Sequence, residues 1–165
     1  MRIFAALRTL VYVIVFVLGW GWVALAARRL DPMVGLRLPA WLMLVGYTVS
    51  VLGTALVLVC LFAFALRGRG TPAPFDAPRE LIVWGPYRSV RNPIYVGVIL
   101  ALAGFGLILR SLSAVLLAVA VWLLAHLLVV LYEEPTLRRR FGDSYARYVR
   151  NVNRWLPRRP WDPGA

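Results

Sequence analysis

Long stretches without any charged side chain are the feature that most constrains how this chain can fold. A helix needs about 20 apolar residues to cross the hydrocarbon core of a bilayer. A water-soluble domain would have to place about half of its residues against water, whereas 61% of these 165 residues are hydrophobic and 16% are charged. We therefore expect a single all-α integral membrane domain over residues 1–165. Its about four transmembrane helices are predicted at residues 9–27, 38–66, 92–109 and 111–132.

The first and third of these stretches need separate interpretation. Arg2 precedes the first stretch and small residues lie near its end, as in a secretory signal peptide. Its apolar run exceeds the roughly 7–15 residues of such peptides, so a retained helix is the favoured interpretation. The third stretch is short and holds Gly97, Gly104 and Gly106. Because small residues let helices approach closely, we expect it to be an interior span.

The arginines predict the orientation of the chain. All 19 basic residues are arginine, and the formal net charge is +12. With four spans, most arginines share the side of both termini and the middle loop, which the positive-inside rule places in the cytoplasm. This bias fits a bacterial inner membrane or an organelle membrane, of which the bacterial one is favoured. The expected partner is the lipid bilayer rather than a nucleic acid. Four arginines fall on the opposite side, namely Arg28, Arg29, Arg37 and Arg110.

The cytoplasmic tail begins at Glu133, and from Pro135 it has the pattern of an amphipathic helix. Apolar side chains recur every three or four residues, with arginines filling much of the rest. Such a helix can lie among the lipid headgroups or cap the bundle. Gly142 weakens it by about 1 kcal/mol, so a break is expected there. The apolar positions are Leu137, Phe141, Tyr145, Tyr148 and Val152.

Two places break the pattern of lipid-facing helices, and the first is residues 85–97, with the sequence GPYRSVRNPIYVG. Pro93 suits the first turn of a helix, where no amide donor is needed. The free amides of that helix start, with Arg88 and Arg91 beside them, would form a site for a carboxylate. The segment equally fits an interfacial anchor of Arg and Tyr side chains.

The second place is the pair Glu133-Glu134, directly after the fourth span. Carboxylates at a membrane boundary are expensive, which favours a functional role. The pair can also simply begin the next helix, because Pro135 follows and acidic residues favour helix N-termini. His126 lies on nearly the same helical face as Glu133, so it either lines the same cavity or is a hydrogen-bonded core histidine. With one histidine and one cysteine, Cys60, neither a metal site nor a disulfide is expected.

Together these two places resemble the signature of the isoprenylcysteine carboxyl methyltransferase and phospholipid methyltransferase superfamily. Its members carry Arg-His-Pro-x-Tyr before a membrane helix and a Glu-Glu pair after the next one. Here Arg-Asn-Pro-Ile-Tyr at residues 91–95 and the pair at 133–134 occupy those places. Further matches at residues 85–88, 141–142 and 155–157 extend the resemblance over about residues 81–158.

The resemblance implies a methyltransferase that uses S-adenosylmethionine, held between the third and fourth spans and capped by the tail. A lipophilic or small methyl acceptor would reach it from the bilayer. Arg91 suits the cofactor carboxylate, Glu133 or Glu134 its ribose and amino groups, and Tyr87 or Tyr95 its cationic sulfonium. The expected cofactor-binding residues are Tyr87, Arg91, Asn92, Pro93, Tyr95, Gly97, His126, Glu133 and Glu134.

The sequence departs from the family pattern at Asn92, where the family usually has histidine. Asparagine forms hydrogen bonds but carries no proton near neutral pH, so a proton-transfer role does not carry over. No catalytic residue is assigned, and the acceptor stays open among a prenylated cysteine carboxylate, a phospholipid, another lipid and a small thiol. Two other interpretations also stay open: a non-catalytic protein that keeps the scaffold, and an anionic-lipid binder acting through the basic tail.

Overall fold

The structure, a computed structural model, describes residues 18–67 and 81–162. These residues form helices and turns, with no β-strand among them. Short 3-10 turns precede α2 and α4, and a π-helical turn joins α5 to α6. The helices are α1 (residues 18–27), α2 (Asp31–Val34), α3 (Leu42–Arg67), α4 (Pro93–Ile108), α5 (Leu112–Leu128) and α6 (Glu134–Asn151).

The helical fold predicted from the apolar stretches is confirmed. Among the described residues, two helical runs are long and apolar enough to cross a membrane, Leu42–Phe62 and the continuous Leu112–Asn151. In the most apolar stretch of each helix, only 17% and 22% of the residues are buried. This is expected for helices that face lipid, whereas the core helix of a soluble protein is mostly buried. The apolar α4 has 16 residues. Residues 9–17 of the first predicted span lie outside the described residues, so the number of four spans stays a prediction.

The chain divides into two compact units. Unit 1 takes the described residues up to Leu52 together with Ile99–Val121. Unit 2 takes Gly53–Val98 and the described residues from Trp122 onward.

Small residues bring α3 and α4 into close contact in unit 1. A Cβ atom added at Gly104 would lie 2.5 Å from the amide nitrogen of Ser50 and 2.6 Å from the carbonyl oxygen of Gly46. The hydroxyl of Ser50 donates a hydrogen bond to the carbonyl oxygen of Ala101, at 3.3 Å. The glycines therefore let two backbones touch where side chains would hold them apart. The core of this unit is built from small and apolar residues, Ala24, Leu102, Ala114 and Ala118.

The start of α5 is held by an aspartate from the short helix α2. Oδ1 of Asp31 accepts hydrogen bonds from the Ser111 hydroxyl and the Ser113 amide, both at 3.0 Å. Burial alone would raise the pKa of Asp31, but the hydrogen bonds from Ser113 and Ser111 and the Arg28 charge hold it below its ordinary value. Asp31 thus caps α5 from a distance and ties α2 to it.

Replacing Asp31 by alanine is expected to destabilise the protein by about 1–2 kcal/mol, because an amide and a hydroxyl lose their acceptor. In a thermal unfolding experiment in mild detergent, this should lower Tm by about 4 °C. Asp143→Ala is the matched control, since Asp143 is exposed on α6. Equal Tm values for the two variants would contradict the capping role.

In unit 2, α6 and the residues after it fold back on the segment that precedes α4. Tyr145, Tyr148 and Val152 are buried together, with Leu137 and Phe141 packed against them. These are the apolar positions predicted for the tail helix, and they lie on one packed face. The expected break also occurs, because Gly142 has φ 50° and ψ −124° inside α6.

Val152 has an extended backbone and ends α6, and the irregular segment that follows runs alongside residues 88–91. We call residues 152–162 the tail strap. The Arg91 amide donates to the carbonyl oxygen of Asn153, at 2.9 Å. Further along, the amides of Arg158 and Trp161 donate to the carbonyl oxygens of Ser89 and Arg88, each at 2.9 Å. The tail strap is thus fixed by backbone hydrogen bonds to the entrance of α4.

Candidate functional site

Glu134, the first residue of α6, lies at the centre of a group of charged side chains in unit 2. Arg154 of the tail strap binds it with two hydrogen bonds, from Nε to Oε1 at 2.6 Å and from Nη2 to Oε2 at 2.9 Å. The guanidinium of Arg91 approaches from the entrance of α4, with Nη1 at 3.0 Å from Oε1. One carboxylate therefore joins two arginines that lie far apart in the sequence, in the two-pronged geometry that guanidinium groups favour.

Arg91 is buried but not fully hydrogen-bonded. Its side chain is 9% exposed, and neither Nε nor Nη1 has a hydrogen-bond partner among the described residues. The contact of Nη1 with Glu134 is therefore an ion pair without hydrogen-bond alignment. A buried guanidinium with unused donors is costly unless a further acceptor binds there. The unused donors of Arg91 could therefore bind an anionic group of a ligand.

Glu133 differs from its neighbour, because its contact is with a tyrosine rather than an arginine. The hydroxyl of Tyr95, in the first turns of α4, donates a hydrogen bond to Oε1 of Glu133 at 2.5 Å. Glu133 is the last residue of the π-helical turn Val129–Glu133, and such turns occur frequently at functional sites. The turn and α4 together place this carboxylate and hydroxyl against each other.

The surroundings of the two glutamates shift their pKa values in opposite directions. Both lie beyond Tyr132, the last residue of the predicted fourth span. Burial raises the pKa of Glu133, and the charge of Glu134 adds to this against the hydrogen bond from Tyr95. Burial also acts to raise the pKa of Glu134, but the hydrogen bond from Arg154 and the charges of Arg91 and Arg154 outweigh it and lower the pKa. The carboxyl group of Glu134 is thus held in its ionised form, whereas that of Glu133 takes up a proton more readily than Glu134 does.

Asn92 and Pro93 shape the entrance of α4. The side-chain amide of Asn92 donates to the backbone carbonyl oxygen of Arg154 at 3.2 Å. The backbone carbonyl oxygen of Asn92 accepts from the backbone amide of Val96 at 3.1 Å. Pro93 is fully buried and begins the helix, as predicted. Asn92 therefore fixes the backbone of the arginine that binds Glu134, a role that needs a donor and no titrating proton.

His126 belongs to a cluster of aromatic rings. Its Nδ1 accepts a hydrogen bond from the indole Nε1 of Trp155, at 3.0 Å, so it is a hydrogen-bonded histidine, one of the two predicted alternatives. Trp122 packs near both rings, and Tyr95 meets Trp155 edge-on, with ring centroids 6.4 Å apart. His126 is thereby linked to Glu133 through Trp155 and Tyr95. We call Tyr95, Trp122, His126 and Trp155 the aromatic cluster.

The other two predicted site residues, Tyr87 and Gly97, are placed differently. Tyr87 lies in the 3-10 turn before α4, and its carbonyl oxygen accepts a hydrogen bond from the Tyr148 hydroxyl at 2.7 Å. Burial raises the pKa of the Tyr87 hydroxyl, which keeps it protonated. Gly97 packs on α3, where an added Cβ would lie 2.7 Å from Val57 and 2.8 Å from the carbonyl oxygen of Gly53. The structure thus places Gly97 in helix packing.

Two residues of the site were missed in the sequence, Arg154 and Trp155. They are adjacent in the tail strap, and each binds one half of the site: Arg154 holds Glu134, and Trp155 holds His126. A signal was present in the Asn-Arg-Trp-Leu-Pro run, in which an arginine and a tryptophan follow a predicted amphipathic helix. Nothing in the sequence tells which residues they contact.

The chain is similar to known proteins in both sequence and fold. A family model described as phospholipid methyltransferase matches residues 41–144. A solved structure of a eukaryotic intramembrane Ras methyltransferase, isoprenylcysteine carboxyl methyltransferase, shares the fold with a TM-score of 0.61 and 23% sequence identity. The similarity covers 88% of this chain and 52% of that protein, so the chain spans about half of its length. Comparison with curated proteins gives no match.

Proposed function

Since the chain belongs to the phospholipid methyltransferase family, we propose that it transfers a methyl group from S-adenosylmethionine to a lipophilic or membrane-associated acceptor. The acceptor would be of the isoprenylcysteine carboxylate or phospholipid kind. The observation that carries the proposal is the buried guanidinium of Arg91, which keeps unused donors beside a carboxylate that is already bound by Arg154.

The donor set fits the cofactor group by group. The unused donors of Arg91 match a carboxylate, which is the only anionic group of S-adenosylmethionine. Glu133 carries an acceptor oxygen suited to ribose hydroxyls or the amino group, because it is not engaged by an arginine as Glu134 is. Glu134 then acts through Arg91, by holding that guanidinium in place. These roles refine the choice between the two glutamates that the sequence left open.

The aromatic cluster suits a cationic sulfonium. Tyr95 and Trp155 meet edge to face near Glu133, and aromatic faces attract cations most strongly where water is excluded. Trp122 is 36% exposed on the outer surface of α5, so the cluster reaches from the glutamate to an apolar surface. This supports an acceptor that arrives from the lipid rather than from water.

When bound, S-adenosylmethionine supplies an already activated methyl group. The residues of this chain then have to align the acceptor and exclude water, which accounts for most of the acceleration of such a displacement. Trp155 and Val152 of the tail strap shield the site, and Asn92 keeps the tail strap in place. Glu133, with its raised pKa, is the group best placed to hold a proton for an acceptor that must lose one.

The proposed protein is a single domain that crosses a bacterial inner membrane four times. Both of its termini would lie in the cytoplasm. The arginine-rich tail would then lie at the cytoplasmic face, where the soluble cofactor is available. The cofactor would enter from that face, and the acceptor would enter from the bilayer.

The test is calorimetric titration of the purified protein in mild detergent with S-adenosylhomocysteine, wild type beside Glu134→Gln. We expect saturable binding by the wild type. In the variant, the carboxylate that holds the guanidinium of Arg91 in place and binds Arg154 is lost, so binding should weaken about tenfold or more. The matched control is Arg147→Gln, which removes an exposed arginine of α6 and should bind like the wild type.

The outcomes separate the methyltransferase from its alternatives. Binding that depends on Glu134 supports the proposal and justifies measuring labelled methyl transfer into extracted membrane lipids. If the folded wild-type protein does not bind S-adenosylhomocysteine, the proposal is wrong, and a non-catalytic protein that keeps the scaffold is favoured. Binding with equal affinity in Glu134→Gln would remove this carboxylate from the site.

A further inference from the structure

Unit 1 contains a cavity of about 460 Å³ that is unrelated to the site described above. It lies beside α2 and the turn between α4 and α5. Its described lining includes three arginines, one aspartate and the apolar side chains of Leu36 and Leu109. The arginines are Arg28, Arg37 and Arg110.

The lining of this cavity is strongly cationic. Its carboxylate, Asp31, already accepts hydrogen bonds from Ser111 and Ser113 and caps α5. Three arginines therefore line the cavity together with a single carboxylate that has another task. Like charges that line one cavity repel each other, and a bound anion would offset this repulsion.

Arg110 is held in place by its backbone and by a hydrogen bond. Its φ is 55°, and no other non-glycine residue in the described part of the chain has a positive φ. Arginine rarely adopts this conformation, which often marks a functional constraint. Its Nε donates to the carbonyl oxygen of Leu38 at 2.9 Å, which fixes the guanidinium at the cavity.

Exposed apolar residues are sequence neighbours of the cavity lining, and one of them, Leu36, belongs to the lining itself. Leu30, Met33 and Leu36 flank or belong to α2 and are 52%, 84% and 56% exposed. An exposed apolar segment interleaved with arginines is the pattern of a chain lying at the headgroup level of a bilayer. The occupant of the cavity should therefore combine an anionic group with an apolar body.

We propose that this cavity binds the phosphate group of an anionic lipid, with Arg28, Arg37 and Arg110 as its ligands. Arginine forks match phosphate oxygens, and three of them suit a group with several acceptors. The volume is that of a small-molecule site and leaves room for the glycerol part of the lipid against Leu36 and Leu109. The site also explains why arginines lie on the side of the membrane where the positive-inside rule disfavours them.

The experiment measures thermal unfolding of the full chain in uncharged detergent with added phosphatidylglycerol, phosphatidylcholine or inorganic phosphate. The variants are Arg28→Gln/Arg37→Gln, each single change, and Arg29→Gln as matched control. Arg29 is the exposed neighbour of Arg28 and does not line the cavity. Arg110 is left intact because it also holds the backbone.

We expect phosphatidylglycerol at about ten times its Kd to raise Tm of the wild type and of Arg29→Gln by about 4 °C. The double variant should bind at least about tenfold more weakly and show no such rise. If the double variant does not fold, each single variant should show a reduced shift. The methyltransferase site lies in the other unit, so S-adenosylhomocysteine should bind all these folded variants as it binds the wild type.

Three results would overturn the proposal. An equal Tm shift in the wild type and the double variant would show a general effect of negative charge. An equal shift with phosphatidylcholine would show that no anion is selected. An equal shift with inorganic phosphate at the same concentration would assign the cavity to a free anion instead of a lipid.

Discussion

Arg91→Ala is expected to lower the affinity for S-adenosylhomocysteine by at least about 100-fold, the largest effect of any single change in the site. Arg91 is the buried guanidinium with unused donors, so its removal takes away the partner for the cofactor carboxylate. A hydrogen bond to a charged group is worth about 1.5–3 kcal/mol, and two are available at this guanidinium. Glu134 keeps its two hydrogen bonds from Arg154, so the fold around it is retained.

The measurement is calorimetric titration, with Arg147→Ala as control and Arg91→Lys as a variant that keeps the charge. Lysine restores the charge without the planar fork, so Arg91→Lys should fall between wild type and Arg91→Ala. Far-ultraviolet circular dichroism and gel filtration establish folding. A folded Arg91→Ala that binds as tightly as the wild type would remove Arg91 from the cofactor site.

Gly104→Ala should destabilise the protein strongly, although it adds only one methyl group. The added Cβ would meet the backbone of α3, at 2.5 Å from the nitrogen of Ser50 and 2.6 Å from the oxygen of Gly46. Backbone atoms cannot rotate away as a flexible side chain can, so the helices must separate. Overpacking typically costs about 1–3 kcal/mol, and we expect the upper end of this range.

Thermal unfolding in mild detergent should show a Tm about 10 °C below that of the wild type. The matched control is Gly21→Ala in α1, where an added Cβ meets nothing within 4 Å in the part of the chain that the structure describes. Because alanine is the better helix former by about 1 kcal/mol, this control should be neutral or slightly stabilising. Similar Tm values for Gly104→Ala and Gly21→Ala would show that α3 and α4 are not in the close contact described.

Features with a local cause could be predicted from the sequence. Pro93 begins α4 because proline fits the first turn, and Gly142 breaks α6 because it adopts a backbone conformation that other residues avoid. Of the two interpretations of the glutamate pair, the helix start is confirmed for Glu134, and the functional role stays a prediction. It lies in the first turn of α6, and it also binds Arg91 and Arg154.

Features that depend on long-range contacts could not be predicted. Arg154 and Glu134 are 20 residues apart, and Trp155 and His126 are 29 apart, with an extended segment after Val152 that has no periodic pattern. The sequence contains many arginines that could pair with the glutamates, so charge alone does not predict which of them do. The fold determines the pairs.

A small residue is ambiguous in the same way. The sequence predicts both a close approach between helices and a place in the cofactor site for Gly97. The structure shows the close approach of α4 to α3 near Gly53, and the cofactor role stays a prediction. A sequence does not tell whether a missing side chain makes room for a ligand or for another helix. Similarly, the prediction that His126 and Glu133 share a helical face assumed regular α-helix, and the π-helical turn between them changes that geometry.

The π-helical turn Val129–Glu133 also bears on how this family can tolerate changes in chain length. A π-helical turn is an α-helix that has absorbed one additional residue. Losing one residue between 129 and 132 would restore a regular helix from α5 into α6, so secondary structure would survive. Because the turn holds the additional residue locally, the residues beyond it would keep nearly the same direction around the helix axis. Glu133 would stay close to Tyr95, and Glu134 close to Arg91 and Arg154. A deletion of one residue should therefore be tolerated better at this turn than in the regular part of α5, where it would turn all following residues by about 100°.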